Sequence, residues 1–172
     1  GSSIGADSSY LAIDLDGYTT DINGLLLIGS TNVSPIPQLL IFQDMIQNGA
    51  DAVGVYLGND TDFPEGTLAT TTNLIDALAY DTSDADDTVL MGLLGLTEQI
   101  NEGVAQNVNS IQRNNDGSYT VKTPTPRKLN DGSGIVLNGI SFTIAQTQYN
   151  EGQSFDIVFT TEQNVTAAST IN

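Results

Sequence analysis

The sequence predicts a mainly β protein: a β-sandwich carrying one short helix, followed by the opening strands of a second sandwich. Three observations carry that reading. Apolar residues come in short runs, and turn-forming pairs such as Asp16-Gly17, Asn23-Gly24 and Asn48-Gly49 punctuate them. One apolar run, residues 89–94, is preceded by acidic residues and followed by glycine, as a short helix would be. A polar, glycine-rich stretch, Asn130-Asp131-Gly132-Ser133-Gly134, then separates these segments from two further alternating ones.

Taken in order, residues 10–15 are apolar-rich and end at a turn, which predicts a strand. Residues 25–29, introduced by Asn23-Gly24, read as a buried strand. Pro35 and Pro37 exclude a central strand from residues 33–37, because proline cannot donate to a ladder. Residues 39–47 are ambiguous and fit a helical turn. Residues 51–57 alternate well and predict a strand, and 58–66 form a polar loop around Pro64. The next strand spans residues 74–80, with Asp76 as its acidic member. Alternation there turns Asp76 outward and Ile75 and Ala77 inward. The helix that follows is short enough to be a surface element. Residues 110–113 and 119–122 predict a hairpin across Asn114-Asn115-Asp116-Gly117, closed by Pro124 and Pro126. Beyond the connector, residues 140–144 and 155–159 alternate and are joined through Asn150-Glu151-Gly152-Gln153. Two strands alone do not make a stable domain in water, so they predict the start of a second unit. The expected organisation is therefore residues 1–130, a linker at 131–138, and a second unit from 139 to 172.

Composition then limits the chemistry. The 172 residues include 21 acidic and 4 basic side chains and no His, Cys or Trp, for a net charge of −17. That excludes Ser-His-Asp and Cys-His nucleophile systems, thiolate or imidazole metal sites, and disulfides. Four cations give little attraction for phosphates, so nucleic acid is not an expected partner. A hydrophobic fraction of 39% suits a folded chain better than an acidic disordered tail. No apolar run approaches the roughly 18–20 residues of a membrane span, so membrane insertion is not expected. Gly1-Ser2-Ser3-Ile4-Gly5 lacks the basic and apolar regions of a signal peptide, so the chain is read as mature, trimmed or cut from something longer. The high negative charge suits a module facing salty water.

Several blocks of the first unit resemble the lamin tail domain family in its bacterial, secreted form. They are Leu15-Asp16-Gly17-Tyr18-Thr19-Thr20-Asp21-Ile22-Asn23-Gly24, Gln47-Asn48-Gly49-Ala50-Asp51-Ala52-Val53, and the long block from Thr72 to Thr82 followed by Asp84-Ala85-Asp86-Asp87. Asn101-Glu102, Ser110-Ile111-Gln112-Arg113 and Thr123-Pro124-Thr125-Pro126 continue it in the same order. The resemblance implies an immunoglobulin-like β-sandwich used as a non-catalytic module in multidomain proteins. It also implies that the family's first strand pair, with its Asn-Glu and Glu-Leu-Tyr type segments, is missing. Those strands are then expected from a longer parent chain or, by strand exchange, from another subunit. The segment around Asn150-Glu151-Gly152-Gln153-Ser154-Phe155-Asp156 is similar to repeated β-sandwich modules of Bacteroidota-type surface proteins.

The remaining candidates for chemistry are carboxylates. Asp81, Asp84, Asp86 and Asp87 fall within seven positions, and calcium takes 6 to 8 oxygen ligands, so this group is the candidate calcium site. Asp14, Asp16 and Asp21 form a second acidic group. Neither group fits the D-x-[DN]-x-[DN]-G spacing, and turn or helix capping is the competing role for both. No cofactor other than calcium is expected. A paired-carboxylate hydrolase would need two acids across a cleft, and Asp76 stands out because it interrupts an apolar strand. Arg113 is expected to pair with one of the acids. The function expected from all this is a non-catalytic extracellular module for adhesion or structural assembly, secreted or at a bacterial cell surface. Its expected partners are neighbouring domains or subunits of the same protein. The alternative is an accessory domain of a secreted hydrolase such as a nuclease or phosphodiesterase.

Overall fold

The structure is a computed structural model, and it describes residues 7–103, 108–134 and 140–161. The expectations placed on Gly1-Ser2-Ser3, on half of the linker (135–138) and on residues 162–172 lie outside that range. The chain is mainly β, with one short helix and several small sheets in a sandwich-like arrangement.

Strand β1 (Ile28–Gly29) pairs in parallel with β2 (Leu39–Leu40). The predicted strand at 25–29 is shorter than expected because the Gln38 side chain occupies its neighbours. Gln38 Oε1 accepts from the Leu27 N–H at 2.7 Å, and its Nε2 donates to the Leu25 carbonyl at 3.2 Å. Gly29 is needed for close approach, since a Cβ there would lie 3.1 Å from Val33 and 3.3 Å from Pro37. No helical turn forms at residues 39–47. Residues 10–15 are not a strand either. Pairing falls just before them, where Ser8 bridges Leu68 and the Ser9 N–H donates to the Thr67 carbonyl at 2.8 Å.

The principal sheet runs in the order β3-β4-β5, with β3 at Asp51–Tyr56, β4 at Leu74–Asp81 and β5 at Ile100–Asn101. The β3–β4 pair is antiparallel, with Asp51 opposite Tyr80 and Val53 opposite Leu78. The other edge of β3 has no strand beside it among the described residues. Ile75, expected to point inward, is 60% exposed, because a register shift at Val55/Tyr56 breaks the alternation beside it.

Helix α1 (Thr88–Leu94) forms as its sequence predicts. The Asp87 carboxylate accepts from the N–H groups of Val89 and Leu90, and Gly95 ends the helix in the left-handed conformation that glycine adopts without a Cβ penalty. It is more than the expected surface element. Its buried Leu90, Met91 and Leu94, with Leu39 and Ala79, are the buried apolar residues of the described chain. Strands β6 (Ser110–Arg113) and β7 (Tyr119–Lys122) form the predicted antiparallel hairpin.

The ends of this region are tied by a long-range clasp. Asp21 accepts from the N–H groups of Asn23 and Leu25 and from Arg127 Nε at 3.2 Å, while Asn23 Nδ2 donates to the Arg127 carbonyl at 2.9 Å. Strands β8 (Ile140–Ile144) and β9 (Ile157–Thr161) pair antiparallel with each other and with no other strand among the described residues.

Candidate functional site

The four acidic residues proposed for calcium lie on the connection from β4 to α1, and two of them are already engaged. Asp81 is the end of β4 and only 1% exposed. Its Oδ1 accepts from the Ser83 N–H at 2.8 Å, and its Oδ2 accepts from Gln99 Nε2 at 2.8 Å. Gln99 Oε1 in turn accepts from the Asp87 N–H at 3.0 Å, so one amide staples both ends of the connection. The Asp87 carboxylate caps α1. Asp84 is exposed and accepts from Thr82 Oγ1 at 3.3 Å, and Asp86 is also exposed.

A calcium ion needs several oxygens converging at 2.3–2.6 Å. Here Asp81 and Asp87 direct their oxygens at amide donors, and among the described residues no group of three or more acidic side chains is placed to hold a metal ion. Asp81 and Asp87 serve the fold in this arrangement, and no chemistry is derived through an ion.

Two neighbouring carboxyls feel this crowding. Burial, then the Asp81 charge, push the Glu102 carboxyl above its usual range. Burial, then the Asp87 charge, do the same to Asp7, whose buried Oδ1 has no hydrogen-bond partner.

The second acidic group is divided between two turns. Asp14 accepts from the Asp16 N–H at 2.8 Å, a local turn contact. Asp21 sits in the clasp with its side chain 4% exposed. Burial opposes its charge, but the N–H groups of Leu25 and Asn23 and the Arg127 guanidinium together hold its carboxyl below the usual range. Asp76, the acid within a strand, faces solvent and pairs with Arg113 at 2.9 Å, both half-exposed. Such a pair is a surface tie between β4 and β6 and contributes little to stability. Among the described residues the charged partner of Asp76 is Arg113.

Sequence reasoning missed a polar cluster built on the Asp51–Tyr80 cross-strand pair. Tyr10 Oη donates to Asp51 Oδ2 at 2.5 Å, and Tyr80 Oη lies 2.9 Å from the Gln47 carbonyl and 3.4 Å from the same carboxylate oxygen. Asp51 is 7% exposed, and its other oxygen accepts from the Ala52 N–H. Burial, then the hydrogen bond to Asp51, push the Tyr10 phenol up to about 12. Burial and the Asp51 charge push Tyr80 up as well. These phenols hold their protons more firmly than free tyrosine, the opposite of an activated base or nucleophile. The available signal was an aspartate at the head of a well-alternating strand, where an acid is costly unless partnered.

No family model, curated protein or solved structure matches the chain.

Proposed function

We propose that this chain is a non-catalytic extracellular β-sandwich module, lamin-tail-like and immunoglobulin-like, secreted or on a bacterial cell surface. It works by packing, adhesion or assembly with neighbouring domains or subunits of the same protein, which complete its sheets by strand exchange or from the parent chain.

One observation carries the reading: the module is half-covered. Its buried apolar residues are Leu39, Ala79, Leu90, Met91 and Leu94 among the described residues, while Val53, Val55 and Leu57 on or beside the open-edged β3 stay 45–66% exposed. The β8–β9 hairpin has the same character. Phe142 opposite Phe159 and Ile144 opposite Ile157 share one face, all between 43% and 66% exposed, while Ser141, Thr143, Thr160 and the exposed Val158 lie on the other. A soluble protein that leaves apolar faces and a free edge open has surfaces suited to added strands. The carboxylates engaged in caps and the proton-retaining phenols favour a binding role over a catalytic one.

Light scattering and amide exchange on the chain, over rising concentration and then in its longer parent polypeptide, test the reading. Backbone amides on the free edge of β3 and in β8–β9 are expected to exchange fast in the monomer and to gain protection on association or in the parent. A monomer whose β3 and β8–β9 amides are as protected as those of β4, at every concentration and in both contexts, refutes it.

A further inference from the structure

The connection between β8 and β9 folds around a cleft of about 490 Å³ lined by Gln146, Gln148, Tyr149, Asn150 and Gln153. It is an open, polar surface cleft: Gln146, Gln148, Asn150 and Gln153 are exposed and Tyr149 is half-buried. The lining is uncharged, although the chain carries a net charge of −17. Four of its five side chains are amides, each offering one acceptor and two donors on a single plane.

Little of that capacity is used within the protein, so the exposed amides are hydrogen-bonded by water that a ligand would displace. Gln153 Oε1 accepts from the Asn150 N–H at 3.2 Å, and Tyr149 Oη accepts from the Gln146 N–H at 2.9 Å, which leaves the phenolic proton to donate elsewhere. The side-chain amides of Gln146, Gln148 and Asn150 have no hydrogen-bond partner among the described residues. The one aromatic lining residue is prearranged: Tyr149 stacks on Phe155, which does not itself line the cleft, with ring centroids 4.4 Å apart and planes 29° apart.

The ligand class follows by elimination. No cation lines the cleft to hold an anion, and its exposed neighbour Glu151 repels one. No group of acidic side chains stands there for a metal. The amides disfavour a purely apolar ligand, which would leave their hydrogen bonds unmade. A ligand with adjacent hydroxyls satisfies paired donors and acceptors, and one with a flat C–H face packs on an aromatic ring by dispersion. We propose that this cleft binds neutral carbohydrate. The inference deepens the adhesive reading and rests on it only in that the module binds; sugar binding and self-association are measured separately, so either fails without the other.

The test is calorimetric titration and saturation-transfer NMR of the whole chain with uncharged gluco-, galacto- and manno-configured hexasaccharides, and with heparin and alginate as anionic counterparts. At least one neutral hexasaccharide is expected to bind with a dissociation constant on the order of 0.1–1 mM, the range that a few solvent-exposed hydrogen bonds support. Gln146→Ala with Gln148→Ala removes exposed amides while leaving the backbone N–H that holds Tyr149. That double variant is expected to weaken binding about tenfold or more with an unchanged amide spectrum outside the connection. Tyr149→Leu, which removes the aromatic face, is expected to lose binding as well. The proposal is overturned if no neutral sugar binds, if the anionic polymers bind better, or if the double variant binds as the parent does.

Discussion

Replacing Leu90 by alanine tests whether α1 is a structural part of the core or an ornament on it. Leu90 is 7% exposed, whereas its neighbour Val89 is 61% exposed. Truncating Leu90 removes about three carbon groups from a buried site, at roughly 0.8 kcal/mol each, or about 2.4 kcal/mol. A cavity contribution adds to this, limited because a helix of 7 residues at the edge of the fold can settle into the gap. The expected loss is about 2–3 kcal/mol. Val89→Ala removes about two carbon groups that are mostly in water already, and alanine's better helix propensity offsets what remains, so its change should stay within about 0.5 kcal/mol. Urea denaturation with linear extrapolation measures both, and the slopes should match the parent because the same surface unfolds. A gap of about 2 kcal/mol between adjacent residues is roughly a thirtyfold difference in the folded-to-unfolded ratio. Equal effects, or a Leu90→Ala loss below about 1 kcal/mol, would refute the assignment of the helix to the core.

Three further outcomes are expected. Asp81→Ala orphans the Ser83 N–H and the Gln99 amide and should cost about 2–4 kcal/mol in the same denaturation assay, whereas Asp86→Ala, at an exposed position, should change stability by less than about 0.5 kcal/mol; similar values for the two would contradict the staple. The Tyr10 phenol titrates near 10 when unfolded and at about 12 when folded, so its contribution is complete below the unfolded value and is lost as pH rises from there through the folded one. Urea midpoints should therefore fall at alkaline pH, less steeply in Tyr10→Phe, and identical profiles would count against the cluster. Because Asp81 and Asp87 are committed to amide donors, the melting temperature should be the same in chelator and in millimolar calcium; a calcium-dependent rise that disappears in Asp84→Asn would restore the acidic connection as an ion site.

Local signals in the sequence were enough for β3, β4, the capped helix and the β6–β7 hairpin, each of which forms close to its expected limits. They were misleading at residues 10–15, where an apolar run looks like a strand but pairing falls just before it, and only partly right at 25–29, where the ladder with β2 is confined to Ile28–Gly29. A hydrogen bond needs a second group, and no run of residues declares which segment will lie beside it. The same reason separates the acidic groups. Proximity in sequence gathered Asp81, Asp84, Asp86 and Asp87, yet Asp81 faces Gln99, 18 residues away, and Asp87 faces its own helix.

The sequence by itself determined what this chain lacks: imidazole, thiol and enough positive charge for phosphate. It also determined the short period of its strands and the single helix start at Asp87, because composition, alternation and capping act within a few residues. Only the tertiary structure decided that Asp21 would be clasped by Arg127, that Asp51 would be shared by two phenols from separate segments, and that α1 would carry most of a small core. Those outcomes depend on which surfaces meet once the chain has closed on itself. That meeting is set by burial and by the satisfaction of polar groups across more than a hundred residues, and no local pattern encodes it.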